Sequence, residues 1–433
     1  MNTIKDNVER VERFLHPITD RRWFFTILAM VLIICLAVIW KWDIWDDVPN
    51  YWNNIDFFYS SGLIPYKDYV FEYPPFSFVI FLIPRLFAWD ETSFMFAYAI
   101  IAGLCYAGTS WLILDMVGDD QRTKRYVCLL LLVIPLMSLR FIITRNDIFA
   151  CASMILALWL YKKDKVGLAC IVLAVGTMIK LYPALMMVPI VCEYFSTKDY
   201  RKFLRCIVLF VSVCILINLP FMIIDFGTAF NYLSYHSDRN IEIESVISTP
   251  IFLAHLFGLT TIYSDWSSGS RNIVGEIPDM LSPYLFYVIA AAMVFVSVYV
   301  LYKFIRNRTD NNNFGLLCLS TLVLILTFVT FNKVYSAQYM IWILILCPML
   351  IMTINKDARG KAMLFCLLFG ITSAIAYPFY HWDFINYRYV IPEAIKNIVT
   401  VAFLIYCIVL LVRNTYDDGV PDIVEKDDPD IEK

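Results

Sequence analysis

The sequence predicts an all-α, polytopic membrane protein of about twelve transmembrane helices. Three observations predict it. Of 433 residues, 60% are hydrophobic and 17% charged, with a mean hydropathy of +0.66. Apolar runs long enough to be membrane helices recur along nearly the whole chain. The loops between them are alternately rich and poor in Lys and Arg, the asymmetry that orients membrane proteins. A net charge of −3 gives no basic surface for nucleic acid. The 12 cysteines all lie in apolar runs, and no C-x-x-C occurs. They read as small hydrophobes, not as disulfides or metal ligands.

The elements follow in order. Residues 1–22 are polar and carry Lys5, Arg10, Arg13, Arg21 and Arg22, as a cytoplasmic N-terminal segment should. The first apolar run, Phe24 to Trp40, lacks a cleavage site and reads as a span. It places residues 42–93 in a first external loop. The next run, Pro75 to Trp89, carries Pro84 and Arg85 in its middle. If it crossed, the basic stretch Arg122, Lys124 and Arg125 would fall outside. It is therefore read as an interfacial helix that does not cross. Spans are then expected at 94–116, 126–140, 147–161, 166–180, 181–195, 204–224, 282–304, 314–332, 338–355, 361–377 and 390–412. The basic loops at 117–125, 162–165, 196–205, 303–313 and 356–361 then all lie on the cytoplasmic side. A membrane-embedded domain thus covers 23–413, with a second long external loop at 225–281. The acidic tail, 414–433, is expected to be cytoplasmic and disordered. No internal repeat is apparent.

Three apolar cores, 126–139, 148–161 and 166–179, are short. At 1.5 Å per residue each covers roughly 21 Å, against a hydrocarbon thickness of about 30 Å. Their outer ends carry Arg140, Arg145, Asp147 and Lys180. A charge in lipid costs at least roughly 2.5–3.5 kcal/mol, so these residues belong in a cavity with partners or a ligand. The first external loop faces the same side. It sets Asp43, Asp46, Asp47, Asp56, Asp68 and Glu72 against Lys67, among Trp42, Trp45, Trp52 and several tyrosines. Carboxylates among interfacial aromatics suit carbohydrate chemistry at a membrane surface. The simpler reading, an external loop with an aromatic belt, leaves the cations unexplained.

Several short motifs recur in a definite order. They are D-x-x-x-Y (Asp47 to Tyr51), G-x-x-P-Y (Gly62 to Tyr66), FEYPP (Phe71 to Pro75), R-x-D (Arg145 to Asp147), K-x-Y-P (Lys180 to Pro183), YHSDRNIEIES (Tyr235 to Ser245) and VYSAQYMIW (Val334 to Trp342). Taken in this order they resemble glycosyltransferase family 87, of the C-type glycosyltransferase superfamily. Its best-known members are polyprenol-phosphate-mannose-dependent alpha-mannosyltransferases.

The resemblance implies a C-type glycosyltransferase fold with an outward-facing active site. It implies an acidic base in the first external loop and a sugar donor carried on polyprenyl phosphate, with no cofactor. The activity implied is inverting transfer of a hexose, most simply mannose, to a lipid-linked or cell-surface glycan acceptor. A divalent ion held by the external carboxylates stays open, although no cluster has metal-ligand spacing. In that superfamily the helix after the first-loop carboxylate lies along the membrane surface, as read here for Pro75 to Trp89. Asp46-Asp47 stands where the protein O-mannosyltransferase branch has an Asp-Glu pair.

By motif spacing Asp47 is the base and Asp46 the alternative. The competing role for Asp47 is a helix cap ahead of Pro49. Arg145, Lys180, Arg239 and Lys333 are assigned to the donor phosphate, whose departure needs matched charge more than a general acid. His236 would donate to that phosphate or shuttle a proton. Lys180 and Lys333, each taken alone, also suit a lysine reaching up to lipid headgroups. Tyr51, Tyr66, Glu72, Tyr73, Asp147, Tyr182, Glu244 and Gln338 are assigned to binding or orienting sugar and acceptor. Among these, Asp147 would orient Arg145 or Lys180, Glu244 would hold Arg239 or a sugar hydroxyl, and Gln338 would bind sugar or cap its helix. His255 and His381 read as packing residues.

Two rivals stand beside this. A transporter or flippase for a lipid-linked glycan would place ionisable groups at mid-bilayer and show repeated halves. A glycan polymerase or ligase using lipid-diphosphate donors would share the cationic cavity but not the FEYPP and K-x-Y-P motifs.

Overall fold

The computed structural model describes residues 26–27, 30–31, 47–118, 120–234, 239–267, 269–307, 313–377 and 387–416. The N-terminal segment, nearly all of the first span, Asp46, His236, His381 and the tail beyond Tyr416 lie outside the described residues.

Helix α1 (Val48–Ser61) begins where Pro49 presets the first turn. It ends at Gly62, whose φ of 69° is the left-handed conformation that glycine adopts at low cost. Its stripe Val48, Tyr51 and Ile55 is fully buried. Helix α2 (Phe76–Arg85) has ten residues, about 15 Å at helical rise, which is too short to cross a bilayer alone. Its start is pinned from far along the chain. The Phe76 N–H donates to the Met178 carbonyl at 2.8 Å, and Ser77 Oγ donates to the Ile179 carbonyl at 2.6 Å.

Helix α3 (Glu91–Met116) starts with a reciprocal cap between Asp90 and Ser93. Helix α4 (Gln121–Thr144) does not stop near Arg140, as the short core at 126–139 suggested. It bends at Ser138, three residues after Pro135, and continues to Thr144. Proline breaks the ladder locally, but the apolar run beyond it resumes the helix. Helices α5 (Asp147–Lys162) and α6 (Val166–Thr177) are as short as expected, at 16 and 12 residues. They approach so closely that a Cβ on Gly176 would lie 1.8 Å from Ser153 Oγ. The expected span at 181–195 is a 3-10 turn (Tyr182–Met186) running into α7 (Met187–Ser196).

Helix α8 (Tyr200–Ile224) leads into the long loop, where the otherwise helical fold admits a little sheet. Besides α9 (Ser248–Leu256), the loop holds a small antiparallel sheet in the order β1 (Ile241–Glu242), β3 (Ser270–Val274), β2 (Tyr263–Ser267). Gly269, with φ 68°, makes the β2–β3 turn. A segment outside the hydrocarbon is free to pair as open strands, because water can satisfy its edges.

Helices α10 (Glu276–Arg306) and α11 (Phe314–Phe331) follow. The span expected at 338–355 is broken into a 3-10 turn (Ala337–Tyr339), α12 (Met340–Leu344) and α13 (Cys347–Thr353), with Pro348 at the second break. Helices α14 (Lys356–Ala376) and α15 (Tyr387–Val412) complete the chain. Among the described residues, α3, α4, α8, α10, α11, α14 and α15 are long and apolar enough to cross a membrane. Helix α11 is apolar on all sides and almost wholly buried, the centre of the bundle. Helices α8 and α10 turn their apolar side chains outward, as helices facing lipid do. The first residues after α15 join the bundle. The Asn355 N–H donates to the Thr415 carbonyl at 3.2 Å, and Tyr416 pairs with Ile354.

Candidate active site

Four of these features meet around one cavity of about 770 Å³: the start of α1, the FEYPP segment, the α4–α5 and α6 junctions, and the sheet with the 337–339 turn. Small-molecule sites fall in this size range.

Asp47 stands at the N-cap position of α1, yet its side chain makes no cap hydrogen bond. It pairs with Arg145 of the α4–α5 junction. Both side chains are partly open, and both line the cavity. A capping role for Asp47 is thus set aside. Arg145 is placed by the break between α4 and α5, where the chain turns extended for one residue.

Lys180 reaches the same wall from the end of α6. Its Nζ donates to Asp147 Oδ2 at 2.6 Å and to Asn146 Oδ1 at 3.4 Å. The second Asp147 oxygen accepts from Trp342 Nε1 at 2.5 Å. Asp147 is fully buried, so both its oxygens are used and its charge is matched by Lys180. Trp342 is held in turn between Tyr182, with ring centroids 3.9 Å apart, and Tyr339, at 3.7 Å. Tyr182 thereby lines the cavity as part of an aromatic stack.

Arg239 and Glu242 enter from the sheet. Glu242 accepts from Ser336 Oγ at 2.8 Å, and Glu244 accepts from the Ala337 N–H at 2.9 Å. These bonds tie the sheet to the 3-10 turn that presents Gln338 to the cavity. Glu244 therefore braces a backbone. Glu242 is a residue whose charge acts on Arg239. Burial pushes both carboxyls up, opposed by Arg239 at Glu242 and by Lys396 at Glu244. Behind them Lys396 pairs with Glu393 and donates to the Glu244 carbonyl at 3.0 Å.

Of the residues assigned from sequence, Asp47, Glu72, Tyr73, Arg145, Lys180, Tyr182, Arg239, Glu244 and Gln338 line this cavity. Lys333 does not. Its neighbours Asn332 and Val334 do, and the chain bends at Lys333 between them. The Lys333 carbonyl is taken by the Glu242 N–H at 2.9 Å. Tyr51 is also not a lining residue. It is wholly buried, stacked on Phe81 at 4.1 Å. Tyr66 lies behind the wall, donating its hydroxyl to the Tyr73 carbonyl. Both tyrosines support the site from beneath.

Sequence reading missed Asn50, Asn53 and Asn54 of α1, Glu242 of β1 and Trp266 of β2, all of which line the cavity. The asparagines had a signal: three amides on the face of α1 opposite Val48, Tyr51 and Ile55. Glu242 had the same signal as Glu244, the motif Tyr235 to Ser245, and Trp266 had none without the sheet.

The family model of glycosyltransferase family 87 matches residues 71–330 of the chain. No curated protein is significantly similar in sequence. Among solved structures, the chain is similar to ArnT from Cupriavidus metallidurans, in a crystal structure bound to undecaprenyl phosphate. The identity is 14% and the TM-score 0.46, covering 89% of this chain and 77% of that one.

Proposed function

This chain belongs to glycosyltransferase family 87, and from that premise we propose that it moves a hexose, most simply mannose, from a polyprenyl phosphate to a glycan acceptor. The reaction would take place on the outer face of the membrane, with both termini cytoplasmic. One observation carries this reading: Asp47 leaves the helix it could cap and faces Arg145, in a cavity also lined by Lys180 and Arg239.

In this reading the three cations hold the donor phosphate. The acceptor oxygen attacks the anomeric carbon, and the bond from that carbon to the phosphate oxygen breaks. Its electrons stay on the phosphate, where the cations match the added charge. The acceptor proton passes to Asp47. A single displacement of this kind inverts the anomeric centre. Arg145 serves both ends of the reaction. It pairs with Asp47 and lines the cavity where the phosphate would lie. His236 is a second candidate for donation to the phosphate, and Asp46 is the alternative base. Glu72, Tyr73 and Gln338, which line the cavity, would bind hydroxyls.

The test uses protein in lipid nanodiscs with radiolabelled polyprenyl-phosphate mannose, glucose or galactose. Wild-type protein should release polyprenyl phosphate from one of them, and Asp47→Asn should be at least about a hundredfold slower. Loss in Asp46→Asn with a normal Asp47→Asn would move the base by one residue. No turnover of any of these donors by wild-type protein would refute the donor class.

A further inference from the structure

The cavity's cations are Arg145, Lys180 and Arg239, to which the proposed reaction gives the donor phosphate. Asn50, Asn53 and Asn54 of α1 and Trp266 of the β2–β3 hairpin also line it, and the proposed reaction gives them no role.

Neither feature is explained by folding. Helix α1 already buries its apolar stripe on its other face. Asparagine is among the weaker helix formers, so three of them do not help the helix form. Asn50 follows Asp47 by three positions, about one helical turn, so the amides continue the line that the carboxylate begins. Trp266 is 63% exposed although it lines the cavity. The hairpin that carries it is fixed. The Asn272 amide, fully buried, donates to the Ser267 carbonyl at 3.1 Å and to Ser267 Oγ at 3.0 Å. Arg271, opposite Trp266 in register, lies over its ring at 5.8 Å from the centroid.

We infer that Asn50, Asn53, Asn54 and Trp266 form the acceptor subsite, and that the acceptor unit is a neutral sugar. The inference rests on the glycosyl-transfer reading above. A carboxamide both donates and accepts hydrogen bonds and carries no charge, which suits an array of hydroxyls. An indole face is electron-rich and receives the weakly positive C–H face of a pyranose. Asp47, three positions before Asn50, lines the same cavity and would receive the proton of a hydroxyl of the bound sugar.

The probes are methyl α-mannoside, methyl α-glucoside and methyl α-galactoside, with a Ser/Thr-containing peptide as comparison. Saturation-transfer-difference NMR on nanodisc-held protein reads binding without turnover. At least one glycoside should give signal with wild-type protein. That signal should fall by roughly fivefold or more in Trp266→Ala and in the Asn50→Ala/Asn53→Ala double variant, and survive in Trp266→Phe. With radiolabelled polyprenyl-phosphate mannose as donor, Trp266→Ala should raise KM for the glycoside about tenfold with little change in kcat. Glycosides that fail to bind wild-type protein would overturn the inference. So would binding that is unaltered in both variants, or Trp266-dependent binding of the peptide instead. If the glycosides bind as expected while no polyprenyl-phosphate sugar is turned over, the donor reading fails and the sugar subsite stands.

Discussion

Asp147→Asn separates the positioning of Lys180 from general stability. Asp147 is fully buried and accepts from Lys180 Nζ at 2.6 Å and Trp342 Nε1 at 2.5 Å. Asparagine offers one acceptor oxygen and one donor NH2. It can keep Trp342 or Lys180, and its amide then faces the other donor. One charge-assisted hydrogen bond is lost, about 1.5–3 kcal/mol. A fully buried lysine left without its partner would cost about 3–5 kcal/mol. Lys180 is 19% exposed, so water takes part of its charge and the lower figure applies. The expected destabilisation is about 2–3 kcal/mol, read as a lowered midpoint of unfolding in detergent. Once untethered, Lys180 no longer presents its ammonium to the cavity. Misplacement of this kind costs about a hundredfold in kcat/KM for the lipid-phosphate donor. Adding Lys180→Met to Asp147→Asn removes the stranded charge, so stability should partly return while activity does not. A double-mutant coupling below about 0.5 kcal/mol would refute the ion pair. Normal donor kcat/KM in Asp147→Asn would refute the positioning argument even if the protein were less stable.

Further predictions follow from other contacts. Gly176→Ala drives a methyl group into Ser153 and should lower stability by about 1–3 kcal/mol in the same assay, with Ser153→Gly restoring most of it. Arg239→Ala should reduce kcat/KM for the polyprenyl-phosphate donor roughly ten- to hundredfold, without change in the unfolding midpoint beyond about 1 kcal/mol. Burial holds the Glu244 carboxyl well above its ordinary 4.5, so the folded state keeps a proton that the unfolded chain releases. Stability should therefore fall as pH rises above about 4.5, and Glu244→Gln should flatten that slope in unfolding midpoints measured across pH 4–8. Single cysteines at Thr92 and Gly118, at opposite ends of α3, should differ toward an impermeant thiol reagent in intact cells. Thr92 should label and Gly118 should not, and the reverse pattern would overturn the outward-facing orientation.

The sequence by itself determined the helical character and where most helices lie. That information is local, because an apolar run long enough for a bilayer must close its backbone hydrogen bonds within itself. It also determined that Arg145 and Lys180 belong in a cavity, since short apolar cores cannot carry charges into lipid. Partnership was decided by the tertiary structure. Asp47 and Arg145 are 98 positions apart, and Asp147 and Trp342 are 195 apart. Nothing in either local pattern specifies the other. The same holds for register. Lys333 lies in the expected segment, but the chain bends there and gives the cavity Asn332 and Val334 instead. Glu242 and Glu244 read alike in sequence, and only the sheet's docking on the 337–339 turn assigns each its partner. Trp266 is one of many aromatics in the chain. The paired β2–β3 hairpin, carrying the indole to the cavity, sets it apart.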